Sequence, residues 1–156
     1  MMTRTQLLAA LLTAGSMLLG GCASTSGNLP PVTQEQRLAA MAPWAAKGNL
    51  MVIEVPSTSN PLSNQMAIAA LKAGSSSNTA DQIVQILRTG SATTLAVMGN
   101  NVAMNAATIQ AALRDMAKSS GKTRTVLLLV GAPEDITALK AAASAAQVQL
   151  DIAPTP

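Results

Sequence analysis

The chain has no histidine, no phenylalanine and no tyrosine, and only one tryptophan and one cysteine in 156 residues. Each absence excludes something. Without histidine there is no imidazole to act as a general base near neutral pH or to ligate a metal. Ser-His-Asp and Cys-His constellations are therefore ruled out. A non-enzymatic protein is expected, with no metal and no cofactor. A single thiol cannot form a disulfide within the chain. The scarcity of aromatics leaves the core to Ala, Leu, Val, Ile and Met, whose small members let helices approach closely. Charge is sparse as well, at 11% of residues with a net +3. No basic run interleaved with aromatics is present, so nucleic acid is not an expected partner.

What is present is apolar. Hydrophobic residues make up 49% of the chain, far more than a disordered segment carries. At the amino terminus, Arg4 and the free amine precede an apolar run from Leu7 to Leu19, broken by Thr13, Gly15 and Ser16. As a helix this run reaches roughly 20 Å, short of the ~30 Å hydrocarbon core of a bilayer. A removable signal is the expected reading. The run closes on Leu19-Gly20-Gly21-Cys22. This tetrapeptide resembles the lipobox of bacterial lipoproteins, with an aliphatic residue at −3, small residues at −2 and −1, and the cysteine.

The resemblance implies that the Cys22 thiol takes a diacylglyceryl group, that the chain is cut before Cys22, and that the new amino terminus is acylated. Each buried methylene is worth about 0.8 kcal/mol, so several acyl chains anchor essentially permanently where one would not. The residue after Cys22 is Ala23, not Asp. In the enterobacterial sorting pattern this implies the outer membrane, periplasmic face. The expected organisation is a signal peptide over 1–21, a lipidated tether over 22–32 rich in small, polar and Pro residues, and one domain over 33–156.

Periodicity in that domain predicts alternating elements. Thr33-Gln34-Glu35-Gln36 reads as a capping box opening a short helix that stops before Pro43. Strands are expected over 50–55, 94–98, 125–130 and 148–152. Asn60 and Pro61 open a helix whose inward face carries Leu62, Met66, Ala69, Ala70 and Ala73, closed by Gly74. Further helices are expected over 80–88, from 102 or 106 to 118 (Ile109, Ala112, Leu113 and Met116 inward), and from Pro133 onward with Glu134 and Asp135 in its first turn. The order β-αα-β-α-β-α-β predicts a small α/β three-layer sandwich with a mostly parallel sheet of about four strands, the third central and the fourth at an edge. The uninterrupted Val126-Leu127-Leu128-Leu129-Val130 predicts burial on both faces.

Candidate sites lie at the carboxyl ends of such strands, near a topological switch point. The loops there are 57–60, 99–101 and 131–135. Ser57, Asn60, Asn100 and Asn101 form a candidate polar ligand pocket, although each is also turn or cap chemistry. No loop matches the G-x-G-x-x-G phosphate fingerprint. Trp44 is read as an anchor for the leading helix or as an interface residue. A His-free hydrolase would need Lys47 or Lys72 to reach Ser57 or Ser59. The leading expectation is an outer-membrane lipoprotein serving as a periplasmic scaffold or assembly subunit of an envelope machine for secretion, conjugation, pilus formation or polysaccharide export. Its partners are then the membrane, through Cys22, and envelope proteins or a second copy of the chain. The alternative is a periplasmic module binding a small polar ligand.

Overall fold

The computed structural model describes residues 32–119 and 121–155. The lipobox and residues 22–31 of the tether lie outside them. The elements run α1 (Gln34–Ala45), β1 (Leu50–Glu54), α2 (Pro61–Ala73), α3 (Asn78–Thr89), β2 (Thr94–Met98), α4 (Val102–Ala117), β3 (Val126–Val130), α5 (Thr137–Ala146) and β4 (Gln149–Ala153). This is the predicted α/β succession.

The four strands are all parallel and lie in the order β1-β2-β3-β4. Each crossover therefore steps one strand in the same direction. Right-handed connections then place every crossover helix on one face of the sheet. Leu95, Val97, Leu127 and Leu129 on that face pack with Ile83 and Leu87 of α3, Ile109 and Leu113 of α4, and Leu139 of α5. The opposite face presents Ala96, Met98, Leu128 and Val130, covered by Met41 of α1. The three layers are unequal, with a thick helical layer on one side and the single helix α1 on the other. Leu128, mid-strand on the thin side, is fully buried.

Three local expectations need correction. Helix α1 does not stop before Pro43 but continues through it to Ala45. Proline removes one helical hydrogen bond. Here the ring is on the exposed flank of the last turn, while Met41 and Trp44 on either side are held against the sheet. Helix α5 begins at Thr137 rather than Pro133, with Asp135 Oδ1 accepting from the Thr137 N–H at 2.8 Å. Glu134 and Asp135 therefore belong to the β3–α5 loop.

The third correction concerns α2. Its expected inward face, Leu62, Met66, Ala69, Ala70 and Ala73, points to solvent, and Asn64 and Leu71 are buried instead, with Ile68 half-buried. Leu62 and Met66 are 63% and 67% exposed. Both stripes are apolar enough to serve as a core face. The tie is broken by Asn64, whose side chain is needed below. At the other end of α2, Arg114 of α4 donates to the carbonyls of Leu71 and Ser75, both at 3.0 Å. The Leu71 carbonyl, in the last turn of α2, also accepts from the Gly74 N–H at 3.3 Å, and Ser75 follows the helix, so Arg114 clamps the carboxyl end of α2 to α4. No helix of the described residues is long and apolar enough to cross a membrane.

Candidate functional site

A strand order that never reverses has no topological switch point, so the crevice expected there does not exist. A different cleft forms at the carboxyl end of the sheet. The amino terminus of α1 comes down beside the ends of β1 and β2, and the cleft between them, about 570 Å³, is lined by Val32, Thr33, Gln34, Arg37, Ser57, Thr58, Ser59 and Asn100.

Its floor is built from turn chemistry. Asn64, buried on α2, grips the β1–α2 loop. Its Oδ1 accepts from the Thr58 N–H at 3.0 Å and from the Thr58 hydroxyl at 3.2 Å, and its Nδ2 donates to the Thr58 carbonyl at 2.8 Å. Below the β2–α4 loop, Asn105 of α4 is fully buried. With its amide oriented by the surrounding network, its oxygen accepts from the Gly99 N–H at 3.1 Å and its nitrogen donates to the Asn101 carbonyl at 3.1 Å. Gly99 is confined in turn: a Cβ there would stand 2.6 Å from both the Val55 carbonyl oxygen and the Asn105 side chain.

Arg37 forms the wall on the α1 side. Only 8% of the residue is exposed. Its Nη1 donates to Asn100 Oδ1 at 2.8 Å and to the Gly99 carbonyl at 3.4 Å. Its Nε is buried without a hydrogen-bond partner among the described residues. The one ion pair within 4.0 Å among those residues joins Lys118 to Asp115, so no carboxylate neutralises Arg37 there.

The predicted site residues divide. Ser57 and Asn100 line the cleft. Asn60 and Asn101 serve as N-caps: Asn60 Oδ1 accepts from the Leu62 and Ser63 N–H groups at the start of α2, and Asn101 Oδ1 from the Met104 N–H at the start of α4. Trp44, half-buried, donates from Nε1 to Asp151 Oδ2 of β4 at 3.1 Å and ties α1 across the sheet. Lys47 stands 5.8 Å over its ring, whereas Lys72 lines a separate cleft with Glu134 and Asp135. Neither lysine lines the cleft that holds Ser57 and Ser59.

Arg37, Asn64 and Asn105 were not anticipated from sequence. A visible signal existed for two of them: Arg37 shares a helical stripe with Met41 and Trp44, and Asn105 lies in α4, the most deeply buried helix of the described residues. No protein-family model matches the chain, and neither a curated protein nor a solved structure matches it.

Proposed function

We propose that this chain is a lipid-anchored, non-catalytic scaffold of the cell envelope, tethered through Cys22 to the periplasmic face of the outer membrane. Its α/β domain docks protein partners of an envelope machine of the secretion, conjugation, pilus or polysaccharide-export kind. The observation that carries this reading is the solvent-facing stripe of α2, where Leu62, Met66, Ala69, Ala70 and Ala73 stand opposite the buried face. Single exposed apolar residues are ordinary, but a whole helical face of them marks a contact surface. The neighbouring element in the chain fits this reading. Edge strand β1 keeps Met51 and Val52 about half exposed, at 46% and 48%, on its two faces. The unpaired backbone of a sheet edge is itself an interaction template.

The test is assembly. Detergent-solubilised envelopes should yield the wild-type chain in a complex heavier than the free lipoprotein. Leu62→Gln with Met66→Gln should release it as the free form, with its melting temperature unchanged. A double variant that stays in the same complex contradicts the proposal.

A further inference from the structure

We propose that the Arg37 cleft is a binding site for an oxyanion, a carboxylate or phosphate group, independently of the scaffold role carried by α2. Position 37 lies on the stripe of α1 that faces the sheet, in line with Met41 and Trp44. Packing alone would be served there by leucine or methionine. The chain instead buries a guanidinium, leaves its Nε without a partner among the described residues, and supplies no carboxylate within ion-pair distance. A buried cation is tolerated when paired and disfavoured when alone.

Hydrogen-bond donors are at hand around it. Ser57, Ser59, Asn100 and Gln34 line the same cleft, and the side chain of each can donate. Thr58 is engaged with Asn60 and Asn64, so the two serines carry the hydroxyl contribution. Arg37 Nη1 is held by Asn100 Oδ1 and the Gly99 carbonyl, which orients the guanidinium and leaves Nη2 for the ligand. The first turn of α1 adds the positive end of its dipole. Glu35, the acid in that turn, sits two residues before Arg37 and so about 200° around the helix, on the opposite side. A flat guanidinium and a planar carboxylate or a phosphate match in geometry.

The full-length lipidated chain in detergent would be titrated with sodium phosphate and, separately, sodium acetate, against sodium chloride at matched ionic strength. Two readouts are followed: the melting midpoint and the side-chain Nε–H resonance of Arg37, assigned by its disappearance in Arg37→Lys. At least one oxyanion should raise the midpoint and shift the resonance saturably, while chloride does neither. A response to phosphate alone identifies a phosphorylated ligand, and a response to acetate identifies a carboxylate. Ser57→Ala with Ser59→Ala should weaken that binding about ten-fold, and Arg37→Lys about ten-fold or more. Arg37→Met should abolish the response and melt no lower than wild type in chloride. If Arg37→Met does not fold, the lysine and double-serine variants decide. Absence of a saturable response to both oxyanions, or a response unaltered in the Arg37→Lys and double-serine variants, would overturn the assignment.

Discussion

Asn64 Oδ1 stands 3.0 Å from the amide nitrogen of Thr58, and Asn64 Nδ2 stands 2.8 Å from the carbonyl oxygen of the same residue. One buried amide thus closes a two-way grip on the β1–α2 loop. It also settles the rotation of α2, because seating Asn64 inward turns Leu62 and Met66 outward. Asn64→Leu should keep the helix but remove three hydrogen bonds to the exposed Thr58, destabilising the domain by about 1–3 kcal/mol. Chemical denaturation measures the loss, and amide exchange at Thr58 should accelerate in the native state. Unchanged exchange at Thr58 would show that the grip does not hold the loop.

Gly99 and Gly121 make a matched pair of probes. A methyl at Gly99 meets the Val55 carbonyl oxygen at 2.6 Å, whereas nothing lies within 4 Å of one at Gly121. Gly99→Ala should destabilise by roughly 1–3 kcal/mol, as overpacking does, and should disturb the cleft through Asn105. Gly121→Ala should be neutral or slightly stabilising, through the unfolded chain. Equal melting temperatures for the two variants would contradict the packing described at the β2 end.

The thin side of the sheet carries a third prediction. Leu128 is sealed by α1 alone among the described helices, in a small cluster with Met41 and Met98. Leu128→Ala should lower stability by about 2–5 kcal/mol, the sum of lost transfer energy and an incompletely collapsed cavity. Whole-domain stabilities run near 5–15 kcal/mol, so the variant should be marginal at 37 °C. A fall in melting temperature of only a degree or two would mean that α1 does not seal this face.

The secondary structure was largely legible in the sequence because local chemistry encodes it. Thr33 and Gln36 form the capping box they spell, Asn60 and Pro61 open α2, and the run at 126–130 is a strand buried from Leu127 onward. What was not legible depended on choices between equivalent local solutions. Leu62/Met66 and Ile68/Leu71 are both plausible inward stripes, and only the tertiary demand for Asn64 under the Thr58 loop selects between them. Pro43 is a local stop signal overridden by packing of Met41 and Trp44. The third strand lies inside the sheet and the fourth at its edge, as expected, but the full order was not legible, because successive βα units do not say in which direction the next strand is laid down. That one choice removes the switch point, places α2 to α5 on one face, and leaves α1 to form the cleft in which Arg37 sits.

The lipobox reading makes its own prediction outside the described residues. Cys22→Ser should abolish palmitate labelling and leave an unprocessed or soluble chain. Ala23→Asp should divert the protein to the inner membrane in a host that uses the Asp sorting pattern. Labelling that persists in the Cys22 variant would sink the anchor.

The scaffold proposal stands or falls on whether the outer stripe of α2 touches a partner. The direct measurement places a photo-crosslinking residue at Met66, at Leu62 and, as a control, at the exposed Gln85 on α3, each in the full chain within the cells that make it. Discrete adducts of one higher mass at 62 and 66, lost when Ala69→Glu is added to the same helix face, are the predicted result. No adduct at either position, or the same adducts in equal yield from Gln85, would contradict it.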